Sequence, residues 1–594
     1  LHLLSRRQRQ MCIRDRMNTV EGAVDRPLKT SRYLGSYFVD IKFPIKGLSF
    51  RSNLGIDSRT VQDYEYFASA TTERQLGNSS ASNSMKKYSM ITWENYFTYN
   101  RDFKEKHSLG ITLLQSIQQD LKETLEASVQ NTPSDVLKYY DLASGLLIDG
   151  VGSDYVKWNM ASFMGRINYN YLGRYLLTVS ARYDGSSRLA DGHKWVLFPS
   201  AALAWRMSDE SFMKSLSWVD NLKLRLGYGK TGNSSVDPYQ TRGKLGKKRY
   251  VYNNGATEIM GYAPSLMANS TLTWETTDQW NIGLDFGFLK NRINGSVELY
   301  LQNTHDLLLE RQLPVVSGFS SVMSNVGSTR NKGIEITLNT RNIQTKNFTW
   351  STDWMFSANK EEIVELYNGK SDDIGNRWFI GNPIDVYYNY EKIGIWQDTP
   401  EDLAEMAKFN EKGGNFTVGS IRLRDVDGDY KITDKDKIIL GNKRPKFVAS
   451  LVNNIEYKGF DFSIFLYASV GRMLKNDIEL MEKPGRANTV KVNYWTPNNP
   501  TNDFPRPNAD TEKLDYISTI GYDKADFLRI RNITIGYTLP KDLTQKVMLN
   551  KVRFYMSANN PFIFTNFTGI DPEGANGRTS PSYSTWMFGV NLSM

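Results

Sequence analysis

Four aspartates in one short stretch have the residue type and the spacing to hold a metal ion. Asp425-Val-Asp427-Gly-Asp429-Tyr-Lys-Ile-Thr433-Asp434-Lys-Asp436 puts carboxylates at positions 1, 3, 5 and 12 counted from Asp425, with Thr433 at position 9. Hard oxygen ligands at such intervals wrap a calcium ion. Two features depart from that pattern. Gly428 falls at position 4 rather than 6, and position 12 is Asp, one carbon shorter than the Glu that usually closes the loop. The same residues also spell a solvated Asp/Gly turn capping a loop strand. No cofactor is required by the sequence; calcium is the ion that Asp425, Asp427, Asp429 and Asp436 would hold.

A second set is aromatic. Trp378, Trp396, Tyr494 and Trp495, with Tyr387, Tyr388 and Tyr390, lie in long polar stretches. Their rings can stack on sugars or pack a partner protein; equally they can form the core of a large loop. Arg182, with Asp184 and Arg188, sits where a polar strand face can touch substrate, although a polar side-chain network accounts for it as well. No catalytic set emerges. There is no Gly-x-Ser-x-Gly, the one cysteine is Cys12, and the four histidines (His2, His107, His193, His305) lie far apart, without zinc spacing. On this reading the protein is not an enzyme.

The elements that carry these residues are strands. Tyr175, Leu177, Val179, Ala181 and Tyr183 alternate with Leu176, Thr178, Ser180, Arg182 and Asp184. Such strict alternation marks a strand with one apolar face. Tyr33–Phe43 with Leu48–Asp57, Tyr88–Tyr99 with His107–Ile117, and Ala161–Asn170 with Tyr175–Asp184 read as hairpins. So do Trp195–Met207 with Asn221–Tyr228, Trp280–Phe288 with Ile293–Leu301, and Ile334–Leu338 with Phe348–Phe356. Phe447–Tyr457 with Phe460–Val470 and Asp526–Leu539 with Asn550–Asn560 complete eight pairs, and Trp586–Met594 adds a final strand, seventeen in all. In Asp526–Leu539 the apolar parity switches after Ile530, which a bulge near Arg531-Asn532 repairs. Turns within pairs are short. Loops between pairs are long, the longest at Asn359–Lys446. Short turns on one side and long loops on the other are the layout of a transmembrane antiparallel β-barrel.

Composition agrees. Mean hydropathy is −0.48 over 594 residues, with no apolar run long enough for a helical span. Aromatics make up 12 % of the chain, rich enough for interfacial girdles. The net charge of +9 is scattered rather than striped, which argues against nucleic acid. Residues 1–32 read as a lead foreign to the fold or disordered; its basic, non-periodic start, Leu1–Arg16, lacks the apolar core of a secretion signal. Residues 33–594 read as one partial barrel, with 359–446 as its large extracellular loop.

Several stretches resemble SusC/RagA-type TonB-dependent outer-membrane transporters, in family order. They are Ser162–Met213, Leu222–Asn233 (LKLRLGYGKTGN), Trp274–Tyr300 and Asn325–Leu338 (NVGSTRNKGIEITL), then Asp526–Pro540 (DFLRIRNITIGYTLP) and Asn559–Glu573. The resemblance implies a 22-stranded all-β barrel, preceded by a plug domain and a TonB box that this sequence lacks. It implies TonB-dependent import of glycans or peptides across the outer membrane. The implied partners are a SusD-like surface lipoprotein, TonB through the missing plug, and outer-membrane lipid. Met594 stands where the family usually ends on an aromatic residue. Two other readings keep the strands but change the function: an outer-membrane barrel enzyme, and a soluble β-rich carbohydrate-binding protein.

Overall fold

The computed structural model describes residues 22–69, 71, 78–255, 257–476, 492–508, 514–574 and 583–593. The Leu1–Arg16 start and Met594 lie outside them.

Along Tyr175–Ser186 the expected alternation is realised with its sense inverted from that of a water-soluble strand. Leu177, Val179 and Tyr183 are exposed, while Leu176, Thr178, Ser180 and Arg182 between them are half-buried. The less exposed face is a polar ladder. Thr178 donates to Asn168 (2.9 Å), the Ser180 and Ser200 hydroxyls meet at 2.7 Å, and Arg182 donates to Asp184 and Ser162. Burying polar groups only where partners are supplied, while leaving an apolar face uncovered, suits a hydrocarbon solvent and not water.

Seventeen long strands among the described residues fall at the seventeen expected places. β1 (Leu28–Lys42), β2 (Leu48–Phe67), β3 (Ser80–Phe103), β4 (His107–Gln130), β5 (Leu147–Tyr171) and β6 (Tyr175–Ser186) lie in one compact unit, each pairing antiparallel with the next. β7 (Trp195–Arg206), β8 (Val219–Asn233) and β9 (Glu275–Phe288) follow, each divided between this unit and the second. The second unit holds β10 (Ile293–His305), β11 (Ser328–Gln344), β12 (Phe348–Glu365), β13 (Phe447–Tyr457), β14 (Phe460–Val470), β15 (Phe527–Thr538), β16 (Lys551–Thr565) and β17 (Thr585–Ser593), paired in that order. β3 and β4 run 24 residues each. About 9–11 residues of tilted strand cross the hydrocarbon, so these strands continue well beyond it.

The short turns are sterically specified. Gly47, at φ +89°, closes the first hairpin where a Cβ would lie 1.9 Å from the Asn100 carbonyl oxygen. Lys458 and Gly459 both have positive φ, 44° and 90°, as a two-residue hairpin turn of right-handed strands requires. The parity switch in β15 is a bulge at Arg531. Leu466 faces Ile530 and Phe465 faces Asn532, so Arg531 is the extra residue.

One boundary is corrected. The fold does not begin at Tyr33: β1 starts at Leu28, and Val24–Asp25 pairs with Tyr66–Phe67. Lys29 faces Gln62 in the β1–β2 ladder, Arg32 pairs with Asp57 at 2.6 Å, and Ala23 packs in a buried cluster with Tyr66, Ala81 and Tyr139. The polar run Lys29–Arg32 after Leu28 hides this in sequence, because alternation needs apolar residues to be visible.

Buried apolar cores form away from the exposed apolar wall faces, in the loop regions and at the strand ends beside them. In the first unit Leu189, Phe198, Leu272 and Trp274 cluster; in the second, two clusters occupy the loop layer between β12 and β15.

Candidate functional site

The loop layer of the second unit, residues 366–446 with the described parts of 471–526, is itself a folded structure. Val386–Tyr390 pairs with Lys437–Asn442, Lys392–Ile395 with Ile421–Leu423, and Met473–Lys475 with Tyr522–Lys524. A helix, α1 (Pro400–Glu411), interrupts this strand-rich chain. Thr399 accepts from the Asp402 amide, Pro400 opens the first turn, and Glu401 and Asp402 sit at the positive end of the helix dipole. Met406 and Phe409 form its buried side. The strand-period reading passes over this helix; the Thr-Pro-Glu-Asp start is the signal that marks it.

Two expected ring platforms are corrected here. Trp396 is 1 % exposed and packs with Met406, Phe409 and Phe416, under the Arg422 guanidinium at 4.6 Å. Trp495 is 3 % exposed among Ile395, Ile421, Leu423, Phe504 and Ile520, and its indole N–H donates to Gln397 at 2.8 Å. Both are core residues: a loop layer this large needs an apolar centre, and indole rings supply the most area per residue. Tyr494 remains exposed and Trp378 half-buried, the latter bridged to Asp373. Arg182 belongs to the first unit, where Asp184 (2.7 Å) and Ser162 (2.9 Å) occupy it. Arg188 lies 4.0 Å over the Trp158 ring.

The aspartate loop gathers three of its four carboxylates. Oxygens of Asp425, Asp427 and Asp429 lie within 4.8 Å of one another. Asp425 accepts from the Gly428 and Tyr430 amides (2.8 Å each), and Asp429 from the Lys431 amide at 2.7 Å. Asp436 is not part of that group. It is fully buried, and its two oxygens accept from the Val426 and Thr433 amides at 2.8 Å, closing a capping box with Thr433. The shorter side chain that replaces Glu at position 12 is thus taken up by backbone amides.

Beside this loop lies a cavity of about 460 Å³, lined by Arg377, Tyr388, Asn389, Asp434, Lys437, Lys475, Ser518 and Tyr522 among others. Of these only Tyr388 is a candidate in the sequence, because the lining comes from five separated segments. Lys437 Nζ meets Asp434 at 2.6 Å and Tyr390 donates to the same carboxylate at 3.2 Å. The Lys437 hydrogen bond and charge hold the Asp434 carboxyl below its ordinary range. Burial, with the charge of Asp434, pushes the Tyr390 phenol up to about 12, so it stays a neutral donor. A larger cavity of about 1050 Å³ includes Leu299, Ile334, Ala358 and Phe447 in a mainly apolar lining.

A last cluster fixes the segment before β17. Arg529, 4 % exposed, donates to Asp571 at 2.7 Å and meets Glu573 at 2.9 Å; Arg531, the bulge residue, pairs with Glu573 too. Buried charges with partners on both sides hold a loop in one place, because freeing one leaves the other unpaired.

Comparison with known proteins follows the same strands. The family model "TonB dependent receptor-like, beta-barrel" matches residues 21–560. TonB-dependent receptor P3 of Formosa agariphila is 33 % identical over 560 residues, covering 92 % of this chain and 55 % of that protein. TonB-dependent receptor SusC of Bacteroides thetaiotaomicron is 32 % identical over 468 residues, covering 73 % and 43 %. The solved RagAB peptide transporter superposes with a TM-score of 0.81 at 23 % identity, over 96 % of this chain and 62 % of its own. The chain spans about half the length of the curated relatives it matches.

Proposed function

The chain belongs to the TonB-dependent receptor β-barrel family and is of the SusC/RagA type; from this premise we propose that it forms the barrel wall of an importer for glycans or peptides. It is an outer-membrane protein, and its strands are membrane-crossing. The observation that carries the import reading is the pairing of two surfaces. In the first unit an apolar strand face is exposed and the face opposite it is a polar ladder; the second unit carries a folded loop layer with its own cavity. A wall of this kind supplies passage and no chemistry, so the protein is read as a transporter rather than an enzyme. Energy comes through TonB, and a SusD-like surface lipoprotein meets the loop layer. Growth of the source bacterium and of a deletion strain, on a panel of glycans and on peptides, tests this. Loss of growth on one class, matched by loss of TonB function, is expected; unchanged growth on every source overturns it.

Calcium belongs to the same proposal. Asp425, Asp427 and Asp429 would share the ion, without Asp436. Millimolar calcium then raises the melting temperature of the loop layer and Asp427→Asn removes the rise. An equal melting temperature in calcium and in chelator refutes it.

A further inference from the structure

We propose that the cavity beside the aspartate loop binds an anionic sugar unit, a uronate residue of an oligosaccharide. The proposal rests on the import reading and names its substrate class. At about 460 Å³ the cavity falls within the ~300–1,000 Å³ of small-molecule sites.

Charge decides the ligand. Arg377, Lys437 and Lys475 line the cavity against one carboxylate, Asp434. Lys437 is already neutralised by Asp434 at 2.6 Å. Among the described residues neither Arg377 nor Lys475 meets a carboxylate; Lys475 lies 5.8 Å over the Tyr522 ring. Two cations are left facing a cavity, and an anion is what they lack.

Position makes the cations a site rather than scattered surface charge. Each comes from a different element that fixes its backbone. Arg377, at φ +61°, lies in a turn whose flanks, Asp373 and Trp378, exchange two backbone hydrogen bonds of 2.9 Å. Lys437 opens a strand paired with Val386–Tyr390, and Lys475 closes one paired with Tyr522–Lys524. The lining between them is polar rather than apolar: Asn389 donates to the Ser518 carbonyl (3.2 Å) and the Tyr522 hydroxyl (3.3 Å). Hydroxyl, amide and carbonyl groups around a cationic centre match a pyranose ring carrying a carboxylate. An acidic peptide offers the carboxylate without the ring hydroxyls.

Calorimetry of the chain in detergent micelles tests this, with tetragalacturonate as probe and maltotetraose and tetra-aspartate as comparisons. Tetragalacturonate should bind, more weakly as salt rises, and the neutral tetrasaccharide should not. Arg377→Ala and Lys475→Ala should each weaken binding about tenfold. Arg377→Lys and Lys475→Arg, which keep the charge, should stay within about threefold of the parent. No binding of tetragalacturonate, or unchanged binding in both alanine variants, overturns the site. Tetra-aspartate binding as tightly as tetragalacturonate overturns its assignment to a sugar. Heat-modifiable migration in detergent gels is read on the same samples. Its loss with binding intact defeats the barrel and import reading, and its presence without binding defeats only this site.

Discussion

Among single residues, the aromatic side chains of the loop layer divide by what covers them. Trp396 and Trp495 have the composition of sugar platforms and the burial of core residues. Sequence could not separate these roles, since both want a large flat ring; burial depends on α1 and on segments about 100 residues away. Trp396→Ala should therefore destabilise the loop layer by about 3–5 kcal/mol, the cost of emptying a packed indole site. Limited proteolysis within 397–420 reads it: cleavage should accelerate in the variant, and an unchanged rate contradicts the core assignment. The aspartates divide in the same way. The spacing led to all four, yet Asp436 is committed to the Val426 and Thr433 amides. Asp434, not among those four, carries the pH prediction. Its folded-state pKa is depressed by Lys437, so its contribution is present above the ordinary 3.8 and is lost as pH falls through the lower folded value. The melting-temperature gap between the parent and Asp434→Asn should be level above pH 3.8, close below it, and narrow in high salt. A gap that persists in acid contradicts the pairing.

For whole elements, strands were legible because their period is 2 and their apolar face is nearly unbroken, as in Tyr175–Tyr183. The bulge was legible for the same reason: Ile530 and Ile533 sit on opposite parities, and one extra residue restores both to one face. Deleting Arg531 removes only the extra residue, and Ile530 and Ile533, then two apart, stay on one face of an unbulged β15. It also removes one of the two arginine partners of Glu573, leaving Arg529. The deletion should therefore retain heat-modifiable folding, as should Arg531→Ala, and its loss in the deletion alone contradicts the bulge assignment. What sequence did not reveal is order without a period. The start of β1 is polar from Lys29 to Arg32, and α1 is a short helix among loop segments, marked only by its cap. Thr399→Ala should cost about 1 kcal/mol of loop-layer stability. Urea unfolding followed by the difference in tryptophan emission between otherwise identical chains with Trp396 and with Trp396→Phe, which isolates that ring among the thirteen, measures it.

In the whole molecule, each unit repeats one scheme: apolar residues of the strands are exposed on one face, polar residues pair with one another on the other, and buried apolar cores are kept to the loop regions and the strand ends beside them. That distribution would be costly in water, where exposed apolar patches of this extent drive association. Family membership and wall were both readable from the chain, because the wall is a local pattern repeated seventeen times. The cavity was not, because Arg377, Asn389, Lys437, Lys475 and Tyr522 come together only through the loop layer's small sheets. The central claim is that the exposed apolar face of the strands meets lipid. Nitroxide labels placed one at a time from Leu176 to Tyr183, in a Cys12→Ser background reconstituted in bilayers, test it most directly. The account predicts a period of two: high oxygen and low nickel-chelate accessibility at 177, 179, 181 and 183, and the reverse at the residues between. Equal accessibility at both parities, or high nickel-chelate accessibility at Leu177 and Val179, would contradict it.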